Sequence, residues 1–271
     1  MLQKVDAQSV DHAISEFFQT LLPNSTSPVA VDGKTIKGAK QADGLKVHLL
    51  SAFLHKEGAV IAQTVVQNKT NEIPLLPALL EPLDIKDRVV TADAMHTQIE
   101  TAKFIKEKKQ AEYLFITKDN QKNLKQDISD LNLVAFPPQR QTVEKGHGRI
   151  EIRQIRTSDE LNGYLDFPYV KQVFCIHREF TYLKTNKITT ETVYGLTSLS
   201  KEKADPKLIR KFPEVIGVLK TASIMFVMKP KPPTILKFAP KMPPELWHVC
   251  EILLSVSLIF LRLKIFPKTG D

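Results

Sequence analysis

Two aspartates stand where buried strands end. Asp32 closes the run Val29-Ala30-Val31 and is followed by Gly33-Lys34-Thr35; Asp93 closes Val89-Val90-Thr91-Ala92 and is followed by Ala94. A short run of small and branched apolar residues that breaks into a polar turn reads as a buried strand carrying a carboxylate out of the sheet. If the two strands are neighbours, both carboxylates lie on one rim and can share a divalent cation. Magnesium takes oxygen ligands and keeps waters for a substrate phosphate. Two such ions about 4 Å apart activate a water or a 3′-hydroxyl and stabilise the leaving oxygen of a phosphodiester. The plainer alternative is that each aspartate only caps a turn; spacing alone leaves both open.

A second dense stretch is Glu144-Lys145-Gly146-His147-Gly148-Arg149-Ile150-Glu151-Ile152-Arg153. His147, Arg149 and Arg153 are candidates for phosphate contact, and Glu151 for a third carboxylate. On a strand, however, Arg149, Glu151 and Arg153 share one face and can simply pair with one another. Lys118-Asp119-Asn120-Gln121 follows a strand and precedes a helix, so its lysine and amides could meet a nucleic-acid backbone or merely form a capped turn. Lys34, beside Asp32, is a further basic candidate. Cys175 and His177 are too isolated for a zinc site.

The elements that must position these groups follow from periodicity. Ser9–Leu22 reads as an amphipathic helix. After the strand ending at Asp32 come strands 46–55 and 59–66, joined as a hairpin at Lys56-Glu57-Gly58. Helices are expected over 71–83, 97–109 and 123–133, and strands at the approach to Asp93 and over 113–116. The sheet therefore begins antiparallel and continues parallel with crossover helices, an α/β layout. Strands over 149–156, 170–177 and 192–198 make 150–200 a mainly β insertion, and 207–212 begins another helix.

The 271 residues suit one large domain or one with an insertion. Two cysteines are too few for a disulfide framework and favour a reducing compartment. The start of the chain has no apolar signal segment. The apolar run 252–261 is half the roughly 20 residues of a membrane span. Net charge is +8 with a pI near 9.3, which suits a polyanionic partner. Half of that surplus lies in 214–271, which holds eight Lys/Arg against four Asp/Glu, and seven of the seventeen prolines fall between Pro230 and Pro267.

Taken together, Val31-Asp32-Gly33-Lys34-Thr35, Thr70-Asn71-Glu72-Ile73, Thr91-Ala92-Asp93-Ala94-Met95-His96-Thr97-Gln98, Lys118-Asp119-Asn120-Gln121 and His147-Gly148-Arg149-Ile150-Glu151 resemble, in order and spacing, the bacterial insertion-sequence transposases that include the H-repeat-associated proteins. The resemblance covers about 28–212. It implies a ribonuclease-H-like mixed sheet with flanking helices and a mainly β insertion. It also implies magnesium (manganese as a substitute), insertion-sequence DNA ends as partner, a cut-and-join reaction, and a cytoplasmic, non-membrane protein able to form homo-oligomers. Asp32 and Asp93 match the first two acids of that family's Asp-Asp-Glu triad. Lys118-Asp119 departs from the usual Lys-Gly.

Two departures matter more. The family carries a further region before the first aspartate strand, where this chain has about one helix. Its third acid lies in a late helix reading His-Trp-Gly-Ile-Glu-Asn, a string absent here. Codons permitted for Val215–Phe226 spell His-Trp-Gly-Ile-Glu-Asn-Ser-Ile-His-Tyr-Val when read two bases on, and the same shift over 241–252 gives another family-like string. The expected organisation is therefore an N-terminal helix (1–27), a catalytic core (28–149), a β insertion (150–200), the start of a core helix (201–213) and an out-of-frame tail (214–271). The expected protein keeps two acids and is a catalytically defective transposase. The alternatives are an active nuclease using Asp32, Asp93 and Glu151, and a DNA-binding protein that does no chemistry.

Overall fold

A computed structural model describes residues 27–40, 46–54, 59–66 and 72–204. The helix expected over Ser9–Leu22, the turn at Lys56-Glu57-Gly58, the helix at 207–212 and everything expected of 214–271 lie outside them.

The chain opens with an antiparallel meander: β1 (Val29–Lys40), β2 (Lys46–Leu54) and β3 (Ala59–Val66). Helix α1 (Glu72–Leu80) leads to β4 (Val89–Ala92), which returns parallel to β1. A 3₁₀ turn (Ala94–His96), helix α2 (Ile99–Lys103) and a π-helical turn (Phe104–Lys108) then lead to β5 (Glu112–Thr117), parallel to β4. Helix α3 (Lys122–Asp130) follows, then four antiparallel strands: β6 (Arg140–Gly146), β7 (Arg149–Ser158), β8 (Gln172–Tyr182) and β9 (Ile188–Thr197). Among the described residues these nine strands form one sheet in the order β3-β2-β1-β4-β5-β9-β8-β7-β6.

The central strands are apolar on consecutive residues because both faces are covered. Val29, Ala30 and Val31 of β1, Val90, Thr91 and Ala92 of β4, and Tyr113, Leu114 and Phe115 of β5 are all fully buried. Helix α1 lays Leu76, Leu79 and Leu80 against this core, and the chain between α1 and β4 adds Leu83 and Ile85. Ile105 on the π-helical turn and Ile128 on α3 complete it.

Three features differ from the sequence reading. The helix expected over 97–109 changes to π-type pairing after Lys103, with Lys109 N–H donating to the Phe104 carbonyl at 3.2 Å. The β stretch, whose place in the sheet periodicity left open, extends the core sheet: β9 pairs antiparallel with β5 through Leu114↔Thr197 to Thr117↔Tyr194. It also begins ten residues early, with β6, an exposed edge strand whose sequence has one apolar residue, Val143, and hence no alternation to read. The β6–β7 turn is His147-Gly148, both at positive φ (49° and 73°), the primed hairpin turn that matches strand twist.

Candidate metal and nucleic-acid site

The parallel register of β1 and β4 fixes the first fact about the site. Val29 faces Val90, Ala30 faces Thr91 and Val31 faces Ala92, so Asp32 and Asp93 are the next residues along two adjacent strands running the same way. Both line one cleft of about 360 Å³, together with Lys34, Glu72 and His96.

The two aspartates are held differently. Asp32 lies within β1, opposite Ser51 of β2, and is 8 % exposed. Asp93 ends β4 in extended geometry and caps the 3₁₀ turn, its Oδ1 accepting from the Ala94 N–H at 2.7 Å. The same oxygen accepts from Lys118 Nζ at 3.1 Å. Asn120 donates to the Ala94 carbonyl and Gln121 to the Thr97 carbonyl, each at 2.8 Å, while Thr97 Oγ1 donates to the Ile116 carbonyl. The Lys118–Gln121 stretch thus braces the turn after Asp93, a use of its amides that leaves them engaged with protein. Partial burial lowers the pKa of Lys34, with the Asp32 charge opposing.

Beneath the aspartates lies a cluster that sequence reading did not mark as part of the site. Glu72, first residue of α1, is buried. Its Oε1 lies 2.5 Å from His48 Nε2 without hydrogen-bond geometry, and its Oε2 lies 3.8 Å from His96 Nε2. His48 Nδ1 meets Thr35 Oγ1 at 2.9 Å. His96 is 1 % exposed and its pKa is pushed down to about 4 by burial, the Asp93 charge opposing, so the ring is neutral at pH 7. Glu72 and His96 stand in the motifs quoted above, but nothing in a sequence announces that a helix-start glutamate faces inward.

The remaining candidates lie elsewhere. Glu151 sits on β7, four strand positions from β4, or roughly 19 Å of sheet width at about 4.8 Å per strand. Its Oε1 accepts from Arg153 Nε at 2.6 Å and its Oε2 is 3.9 Å from Arg149 Nη2. Arg153 also reaches Glu144, and Arg149 covers the Phe180 ring at 4.9 Å. This is the same-face pairing that the spacing allowed; the structure does not bring Glu151 to the two aspartates. His147 is exposed on the hairpin tip.

A three-strand meander continued by two parallel strands through helices, in the order 3-2-1-4-5, defines a ribonuclease-H-like α/β protein; Asp93 follows the end of β4 as expected, whereas Asp32 lies beside it within β1, which pairs with β2 beyond it and runs on to Lys40. Residues 23–209 match the transposase DDE domain, and the chain belongs to that family. It is 35 % identical over 170 residues to "Putative transposase YncI" of Escherichia coli O157:H7, covering 59 % of this chain and 43 % of that protein. It is 34 % identical over 152 residues to "H repeat-associated putative transposase YhhI" of E. coli K12, covering 52 % and 39 %. "H repeat-associated putative transposase YbfD" of the same strain is 33 % identical over 152 residues, covering 52 % and 58 %. The chain thus spans about two to three fifths of the length of these relatives. Among solved structures, a piggyBac transposase synaptic complex with hairpin DNA aligns over 90 % of this chain and 55 % of that one, with a TM-score of 0.43 and 12 % identity.

Family membership implies dependence on a divalent metal. The residues fit such an ion modestly. Of the three carboxylates that line the cleft, Asp32 and Asp93 would be the one or two protein ligands that magnesium commonly takes, while Glu72 faces His48 and His96. Among the described residues no group of three or more His, Cys, Asp and Glu is arranged to hold a metal. None of the described helices is long and apolar enough to cross a membrane.

Proposed function

We propose that this chain carries the core of an insertion-sequence transposase that acts on DNA ends in the cytoplasm, and that it is catalytically defective. The observation that carries the reading is the β1–β4 register, which makes Asp32 and Asp93 side-by-side neighbours. In this reading they hold magnesium, or manganese in its place. Such an ion would supply activation of a water or 3′-hydroxyl and charge stabilisation at the phosphodiester.

The chain's own residues would do the rest. Asp32, within β1, and Asp93, just past the end of β4, would hold the ion in the cleft. Lys118, now on Asp93 Oδ1, holds that carboxylate in place when no cation is near. Lys34 lines the cleft and is a basic group there for a DNA phosphate; His147 on the exposed hairpin tip is a second, distal contact. Arg149 and Arg153 belong to the same hairpin, but their engagement with Glu151 and Glu144 makes them weaker candidates. With Glu151 remote, two acids remain where the family uses three, so cleavage and strand transfer fall steeply.

The test is a strand-transfer assay with the full chain, family-type element ends and magnesium or manganese. No transfer is expected. Robust transfer abolished by Asp32→Ala would overturn the defect, and if Glu151→Gln also abolished it, the triad would be Asp32, Asp93 and Glu151. The Lys118–Asp93 ion pair favours a second reading, a DNA-binding protein without chemistry. Its mobility shift would weaken strongly with salt and be unchanged by Asp32→Ala or Asp93→Ala.

A further inference from the structure

Glu72 is in contact with both of the segments that carry the aspartates. On one side it lies over β1. A Cβ added at Gly33, the residue after Asp32, would overlap Glu72 Oε2, lie 2.8 Å from its Cδ and 3.0 Å from His48 Nε2. The glutamate therefore packs on bare backbone, and glycine is needed at 33 for that close approach rather than for an unusual φ. His48, on β2 and opposite Thr35 of β1, flanks the same carboxylate. On the other side Oε2 faces His96 Nε2, and His96 closes the 3₁₀ turn that Asp93 caps, its N–H donating to the Asp93 carbonyl at 2.9 Å.

A carboxylate 5 % exposed is costly to bury unless its neighbours compensate it. A plain packing role at the start of α1 would be filled more cheaply by leucine, as it is at Leu76, Leu79 and Leu80. The groups around Glu72 are instead polar and belong to the two aspartate-bearing segments.

We propose that Glu72 is a positioning residue for the aspartate pair: its carboxylate ties the backbone beside Asp32, through Gly33 and His48, to the turn after Asp93, through His96, and so sets the separation of the two carboxylates. The inference rests on the reading of Asp32 and Asp93 as a metal pair. Outer-shell partners of metal ligands typically change affinity by about 10- to 100-fold, so the tie is legible in binding without any turnover.

The experiment is Mn²⁺ binding to the full chain, read from the loss of the free-ion electron paramagnetic resonance signal, with a thermal melt on each variant. Glu72→Ala should weaken Mn²⁺ binding about tenfold or more, and the shape-preserving Glu72→Gln less. Leu76→Ala, a core truncation on the same helix, should lower the melting temperature with Mn²⁺ affinity unchanged. Gly33→Ala should weaken binding when Glu72 is present and add no further loss in the Glu72→Ala background, where the overlap is gone. Folded Glu72→Ala or Glu72→Gln protein with wild-type affinity overturns the tie; if only Glu72→Gln folds, its affinity decides. Leu76→Ala weakening binding as much as Glu72→Ala also overturns it, because loosening of the core would then suffice. Wild-type binding no tighter than that of Asp32→Asn/Asp93→Asn removes the metal pair itself, and the tie's role with it.

Discussion

At the scale of single residues, burial of an ionisable ring gives a directly measurable consequence. His96 has its pKa pushed from an ordinary 6.5 down to about 4 by desolvation. Between those values the unfolded chain takes up a proton that the folded chain refuses, so stability falls as pH drops from about 6.5 to about 4 and levels off below. A shift of that size corresponds to roughly 3 kcal/mol. Urea unfolding of metal-free protein across that window should show the slope, and His96→Gln should flatten it; an unchanged slope would place the acid sensitivity elsewhere. The residues of the site divide by how they could be seen. Asp32 and Asp93 were legible because an apolar run that ends in Asp is a local pattern. Arg149, Glu151 and Arg153 were legible only as alternatives: period-two spacing puts them on one face without saying whether that face meets DNA or itself. His48 and Glu72 carry no local mark. A histidine within a β strand and a glutamate at a helix start are both ordinary surface residues until α1 docks on β2 and turns them inward.

At the scale of elements, the seam between β5 and β9 joins the two halves of the sheet. Gly195 of β9 faces Ile116 of β5 and Phe174 of β8. A Cβ there would overlap Phe174 Cζ and the backbone carbonyl oxygen of Phe115, and the backbone oxygen has no rotamer by which to yield. Gly195→Ala should therefore destabilise the protein by about 1–3 kcal/mol or more through overpacking, read as a lower urea midpoint, while Mn²⁺ affinity of the folded fraction stays unchanged. A neutral effect on stability would mean the seam is looser than the paired register implies. The strands of this seam were readable because β5, β8 and β9 carry buried runs such as Tyr113-Leu114-Phe115 and Val173-Phe174-Cys175-Ile176. What periodicity did not reveal was their order. A β stretch arriving after α3 can stack as its own layer or pair onto a free edge, and the choice is made by the exposed side of β5, which no stretch of sequence encodes. Edge strand β6 was missed for the opposite reason: exposure on the sheet's rim removes the alternation that marks a strand.

At the scale of the whole molecule, we propose that the third acid of the family's triad is lost through a shift of reading frame near residues 212–215. The transposase DDE match stops at residue 209, a few residues before 212–215, where a shift of reading frame would, with permitted codons, bring the family's His-Trp-Gly-Ile-Glu-Asn string into register. Basic charge and proline concentrate beyond it: half of the net +8 and seven of seventeen prolines lie in 214–271. On that proposal a frame shift would account for the composition break and the absence of that string together, whereas point loss of one acid would account only for the second. The prediction has two arms. The gene's nucleotide sequence over codons 215–226, read two bases on, should spell that string; any other reading ends the proposal. A chain rebuilt in the restored frame should bind Mn²⁺ more tightly than the present one, since a third carboxylate completes the coordination of a second ion. It should also cleave element ends in a manner abolished by Asp32→Ala. If the restored chain binds no more tightly and cuts nothing, the late glutamate is not the acid that the Asp32–Asp93 pair lacks.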